Sequence, residues 1–354
     1  MGLFDNMLKE GESLFLDPLP LDIDFIPPVI EGRESEQQRI STAIKPLFQK
    51  RPGKQILITG VPGIGKTVAT KYVLSELNKE TDDIATLYVN CWKKDTPYKI
   101  VLDLCDQVGF KFTHNRDTTD LFKEIAKILN KKSVVIVLDE CDKIQDQQLF
   151  YTLLEEIYRK TLILITNENN WLAKLDIRVK SRLTPELLEF RAYTAKETND
   201  ILKKRVGFAF APGVVEPEAF DLIAQTTYEA GDMRAGLYLL KEAGELAEYK
   251  SEKKITKTHA KEAVKKIQEF QSKSNTGLDD TEQTMLAIIK KNSGKTTKEV
   301  YALYTKDGGT QSYSNFHKKL KHLAKGKFIQ LEEKNEGPGK ATIITYGNMQ
   351  LSDF

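Results

Sequence analysis

The chain has 354 residues with 53 basic and 51 acidic side chains, a formal net charge of +2, so any affinity for a polyanion has to come from a local patch. Its apolar fraction (40%) and charged fraction (29%) are those of a globular protein long enough for two or three domains, which excludes fibrous and low-complexity classes. The three cysteines, Cys91, Cys105 and Cys141, make no C-x-x-C pair and the four histidines show no ligand spacing, which argues against structural zinc or a disulfide framework and fits a reducing compartment. No apolar run reaches the roughly eighteen residues of a membrane span. The opening MGLFDNM lacks the order of a signal peptide, and Asn6 stands where myristoylation wants Ser or Thr. The expectation is a soluble, internal protein that meets no membrane.

In chain order, a leader, ESLFLDPLPLDIDFIPPVIEGRESEQQRI, precedes QILIT, an apolar run fit for a buried strand. Gly60-Val61-Pro62-Gly63-Ile64-Gly65-Lys66-Thr67 follows, and KTVATKYVLSEL has helical spacing through Val68, Tyr72 and Leu77. Strand, G-x-x-x-x-G-K-T loop and helix together point backbone N–H groups and a helix N-terminus at a phosphate chain. Lys66 is then expected on the β- and γ-phosphates and the Thr67 hydroxyl on Mg²⁺; Val61 to Val68 are the nucleotide-binding candidates. SVVIVLDECDKI supplies a second apolar strand with Asp139 and Glu140 at its carboxyl end, where an open parallel sheet places its ligand. Asp139 is expected to hold the metal through its water shell and Glu140 to polarise an attacking water, because a paired Asp-Glu favours hydrolysis over mere binding. TLILITNENNW is a third strand, and Asn167 at its end suits the orienting of that water.

Beyond residue 270, QSKSNTGLDD reads as a linker. Met285, Leu286 and Ile289 mark one helix, and Val300, Leu303 and Tyr304 a second. SYSNFHKKLKHLAKGKF makes a third, capped by Ser312, with Phe316, Leu320 and Leu323 facing a core. Tyr313, Asn315, His317, Lys318, Lys319, Lys321 and His322 lie opposite, and no Asp or Glu occurs between Gln311 and Lys327. FIQLEEKNEGPGKATIITYG reads as two strands around a Gly-Pro-Gly tip. Three helices and a hairpin make a winged-helix plan, whose third helix enters a major groove. Tyr313, Ser314 and Asn315 are candidates for base edges, Lys318 and Lys319 for phosphates, and the tip around Pro338, Gly339 and Lys340 for the minor groove or backbone.

Between the strands and the linker, DIRVKSRL carries Arg178 and Arg182, and AGDMRAGLYLLKEAGELA opens a helix with Arg234 in its first turn. The series of strand-end Asn167, the arginine of K-S-R and the arginine of G-D-x-R resembles the AAA+ ATPases. That resemblance implies a first sensor at Asn167, an arginine finger at Arg182 with Arg178 as the alternative, and a lid sensor at Arg234. A finger supplied by a neighbour accelerates phosphoryl transfer by about 10³–10⁵. The leader, YVNCWKKDTPYKIVLDLCDQVG and VVIVLDECDKI further resemble archaeal origin-recognition/cell-division-control replication initiators, over roughly residues 12–270.

This family resemblance implies an α/β AAA+ base with its leader over 1–193, a helical lid over 194–270 and a winged helix over 277–354. It implies that Pro28, Val29, Ile30 and Arg33 wrap the adenine, and that an insertion after the second strand touches DNA, with Lys111, Asn115 and Arg116 as candidates. ATP/ADP and Mg²⁺ are the implied cofactors. Origin double-stranded DNA, the MCM helicase and other initiator subunits are the implied partners, in the nucleoid-associated cytoplasm of an archaeal cell. The implied activity is slow, switch-like ATP hydrolysis governing DNA binding. A clamp-loader-like or signalling AAA+ ATPase acting on a protein partner is the alternative.

Overall fold

Period-two alternation builds the central sheet. The computed structural model describes residues 13–274, 279–325, 328–336 and 339–346. Strands β1 (Ile56–Thr59), β2 (Ile84–Asn90), β3 (Ser133–Asp139), β4 (Lys160–Ile165) and β5 (Glu186–Glu189) form one sheet in the order β2-β3-β4-β1-β5, parallel throughout. Successive residues face opposite sides. Val134, Ile136 and Leu138 of β3 enter one core with Leu57, Leu162 and Leu164, while Val135 and Val137 enter the other with Ile56, Ile58, Ile163 and Ile165. Two covered faces explain why β3 is buried at every position, as a continuous apolar run requires in a parallel sheet.

Helices α1 (Glu34–Ile44) and α2 (Lys66–Glu80) line the second core. The buried stripe of α2 is Ala69, Thr70, Val73, Leu74 and Leu77, one position on from the Val68 and Tyr72 expected, because its first turn is committed to the loop. Helices α3 (Pro97–Gln107), α4 (Thr118–Leu129), α5 (Gln148–Glu156), α6 (Trp171–Lys174) and α7 (Ile177–Leu183) cover the first core. Two helices, α3 and α4, stand between β2 and β3, where the resemblance implied an insertion. Thr96 caps α3 ahead of Pro97 and Asp117 caps α4, side-chain caps worth about 1 kcal/mol each.

Helices α8 (Ala195–Ala209), α9 (Pro217–Ala230), α10 (Met233–Tyr249) and α11 (Lys257–Ser274) follow. Thr194 and Glu197 close a capping box at the start of α8. The leader lies along α8: Leu16 N–H donates to Ala209 O (2.8 Å), Ala211 N–H donates to Leu14 O (3.2 Å), and the rings of Phe15 and Phe210 meet at 4.7 Å. Within the described residues the chain divides into two compact units, 13–215 with 224–241, and 216–223 with the later residues.

The C-terminal elements are α12 (Asp280–Lys291), β6 (Lys295–Thr296), α13 (Thr297–Lys306), α14 (Tyr313–Lys325), β7 (Ile329–Glu336) and β8 (Gly339–Tyr346). Met285, Leu286, Ile289, Val300, Tyr304, Phe316, Leu320 and Leu323 share a core with Phe328, Ile329 and Ile344, so the three expected helices and the hairpin are present. The two-residue β6 was not expected. It pairs Lys295 with Ile344 and gives an antiparallel sheet ordered β6-β8-β7.

Candidate functional site

The loop from Gly60 to Lys66 leaves β1 at its carboxyl end and turns into α2. Gly63 (φ 75°) and Gly65 (φ 87°) hold left-handed backbone, and a Cβ at Gly63 would lie 2.0 Å from Asp232 Oδ1. Lys66 is buried, and its Nζ donates to Gly60 O (2.7 Å), Val61 O (2.8 Å) and Asn167 Oδ1 (2.8 Å). Burial lowers its pKa to about 8 and the Arg234 charge pushes the same way, while Asp139, Glu140 and Asp142 oppose them. The strand-end amide and the loop lysine, 101 residues apart, are thus brought together. Val61 is half exposed, Ile64 is buried, and Pro62 and Val68 are partly buried.

Asp139 ends β3 beside the loop. Its Oδ2 accepts from the Thr67 hydroxyl (2.6 Å) and the Tyr88 hydroxyl (2.7 Å), and its Oδ1 accepts from Glu140 N–H (2.9 Å). Glu140 turns the chain in a left-handed conformation (φ 56°), and burial with Asp139 and Asp142 nearby raises its pKa above the usual carboxylate range. One hydroxyl and one carboxylate converging at the loop fit Mg²⁺, which keeps several waters and takes one or two protein ligands plus nucleotide phosphates. Among the described residues there is no cluster of three or more metal-ligating side chains of the kind a dedicated protein cage needs.

Arg33 lies where the leader enters α1 and is wholly buried. Its Nε and Nη2 donate to Ile64 O (3.1 and 2.9 Å), Nη2 to Arg191 O (2.6 Å) and Nη1 to Glu36 (3.1 Å), with the guanidinium 3.9 Å from the Tyr193 ring centre. Its guanidinium therefore braces the phosphate loop from beneath and does not line an open face for adenine. Pro28 and Val29 are exposed and Ile30 is buried. Met233 N–H donates to Gly63 O (3.1 Å), and Asp232 holds Arg234 through Nε (3.0 Å) and Nη2 (2.8 Å), so the start of α10 rests on the loop. Arg182 pairs with Glu155 over the Tyr151 ring and Arg178 pairs with Asp176; both pairings stay on α5, α7 and the turn between α6 and α7. Sequence reasoning missed Tyr88, Tyr193 and Asp232, whose roles depend on which strands and helices are neighbours.

On α14 Tyr313, Ser314, Asn315, Lys318, Lys321 and His322 are exposed, and Ser312 Oγ accepts from Asn315 N–H (3.4 Å). Two members of the expected polar face are tied down within the domain. Lys319 pairs with Asp279 at the start of α12, and His322 meets the buried Glu282 at 2.7 Å. Gly339 opens β8 opposite Glu336, and Lys340 follows; Pro338 falls outside the described residues. In the α3–α4 loop, Lys111 pairs with Asp106 (2.7 Å), Arg116 lies over the Phe110 ring (5.6 Å), and Phe112 is 77% exposed. Among the described residues no helix is long and apolar enough to cross a membrane.

A parallel five-stranded sheet with this loop, strand-end carboxylates and an arginine-bearing helix seated on the loop defines an AAA+ ATPase. Residues 50–168 match the model of an AAA domain and residues 199–265 that of the Cdc6 AAA+ ATPase-type lid domain. ORC1-type DNA replication protein 1 of Sulfurisphaera tokodaii is 34% identical over 302 residues, covering 80% of this chain and 76% of the relative. That of Sulfolobus acidocaldarius is 32% identical over 323 residues (86% and 81%). The solved structure of the Aeropyrum pernix ORC1 protein in complex with DNA aligns with TM-score 0.70 at 26% identity over 97% of this chain and 96% of that one. The chain belongs to the family of ORC1-type DNA replication proteins.

Proposed function

We propose that this initiator binds origin duplex DNA in its ATP form, helps recruit and load the MCM helicase, and uses slow hydrolysis as a switch. In this reading the Lys66 ammonium leaves Gly60 O, Val61 O and Asn167 for the β- and γ-phosphates. Thr67 and Asp139 would hold Mg²⁺, which when bound would neutralise charge on those phosphates. Asn167 and Glu140 orient the attacking water, and Glu140, with its raised proton affinity, accepts its proton. Exposed Pro28 and Val29 border the adenine. Arg182, occupied within its own subunit by Glu155, serves a neighbour's site, with Arg178 as the alternative.

The C-terminal module is read as a winged helix. Tyr313, Ser314 and Asn315 meet base edges, Lys318 and Lys321 meet phosphates, and Gly339 and Lys340 flank the reaching tip. Lys111, Asn115 and Arg116 give a second contact. The boundaries proposed are 1–193, 194–270 and 277–354. The DNA complex of the 26%-identical Aeropyrum protein supports the duplex as ligand.

One observation carries the switch. Met233 N–H bonds Gly63 O, so the first turn of α10, with Arg234, registers the state of the phosphate loop, and α10 then runs unbroken to Tyr249. The test is fluorescence anisotropy of the full chain on its own origin duplex with ATP analogue, ADP or no nucleotide, at about 50 and 200 mM salt. Tighter, salt-sensitive binding with the ATP analogue is expected. Equal affinity in all three states would remove the switch, and no affinity for any duplex would remove the initiator reading.

A further inference from the structure

Strand β2 is an edge of the parallel sheet, and a side chain closes part of that edge. Gln107, the last residue of α3, donates its amide to Tyr88 O (2.9 Å) and accepts from Tyr88 N–H (3.0 Å). These are the two bonds an adjacent strand would offer, and they fix the backbone of Tyr88. From that fixed point the phenol hydroxyl reaches Asp139 Oδ2 (2.7 Å), the oxygen that also accepts from Thr67. The Lys71 ammonium lies 4.7 Å from the centre of the same ring.

Asp139 has three hydrogen bonds to keep its carboxylate in plane: Thr67, Tyr88 and the backbone N–H of Glu140. On the reading of Thr67 and Asp139 given above, the Thr67 oxygen has the metal as a second partner. The Tyr88 hydroxyl donates to Asp139 and has the Asn90 side chain as a further hydrogen-bond partner. We propose that Tyr88 is a positioning residue for the nucleotide's metal ion: held at the sheet edge by Gln107, it locks the carboxylate of Asp139 in the orientation that receives the ion. Donors of this kind behind a ligand govern metal affinity by about 10–100-fold. The partly buried Tyr88 ring packs against the core beneath the sheet, and a Phe in its place keeps that packing.

The test compares the full-length chain with its Tyr88→Phe variant. Mn²⁺ is titrated into the ADP complex and followed by electron paramagnetic resonance. ADP affinity is measured in EDTA, and thermal unfolding is recorded without nucleotide. The expected result is a Mn²⁺ midpoint raised about tenfold, with unchanged ADP affinity in EDTA and unchanged unfolding. A midpoint within about twofold of the parent overturns the assignment. So does an equal loss of ADP affinity with and without metal, which would make Tyr88 a purely structural residue. If the parent itself binds ADP without regard to Mn²⁺, the reading of Thr67 and Asp139 falls, and this proposal falls with it.

Discussion

The nucleotide site and the exposed face of α14 are built on opposite principles. At the first, Lys66, Asp139 and Arg33 are buried and each is held by several partners, so one misplaced atom is felt by the rest. At the second, Lys318 and Lys321 are exposed, and an absence of nearby acid on the helix replaces geometry. Removing a part of the first should act as a step, and removing a part of the second as a slope.

The largest break in that contrast is Lys66→Ala, which should abolish ATP and ADP binding by calorimetry. In the parent, affinity should decline as the pH rises through about 8, where the depressed Lys66 loses its proton. Proton uptake on binding at that pH, read from buffers of different ionisation enthalpy, checks the sign. Glu140→Gln comes next. It should bind nucleotide as the parent does but hydrolyse about 10²–10⁴-fold more slowly. Because the Glu140 pKa is raised, the parent's rate should fall with decreasing pH along a limb above the usual carboxylate range, and the variant should lack that limb.

Arg33→Ala should cost about 3 kcal/mol of stability by denaturant titration, since it strands the buried carbonyl of Ile64, the partly buried carbonyl of Arg191 and the Glu36 carboxylate. Its nucleotide affinity should fall through the shape of the loop. The smallest effects sharpen the slope. Lys318→Ala should weaken duplex binding several-fold and flatten the salt dependence by about one counterion, whereas Lys319→Ala, already paired with Asp279, should change the salt dependence much less.

The same contrast explains what was legible in the sequence. Loop, strand-end acids and Asn167 could be read because each occupies a fixed place in a strand–loop–helix word, and adjacent parallel strands then bring those words together. The core of α14 was readable from the spacing of Phe316, Leu320 and Leu323. Tyr88 was not, because nothing local says that β2 neighbours β3. Arg33 was read as an adenine contact because the family resemblance implied one, whereas its bonds to Ile64 O and Arg191 O join residues 31 and 158 positions away. The ties of Lys319 and His322 escaped for the same reason, their partners being 40 residues back on the chain.

The lysine at the head of α2 already satisfies its ammonium with three oxygens of the protein itself. An incoming polyphosphate therefore displaces ready-made bonds, and only a ligand whose oxygens outcompete those three gains from entering. Adenosine, which brings no such oxygens, should leave those three bonds undisturbed and forgo whatever Lys66 contributes to holding the nucleotide.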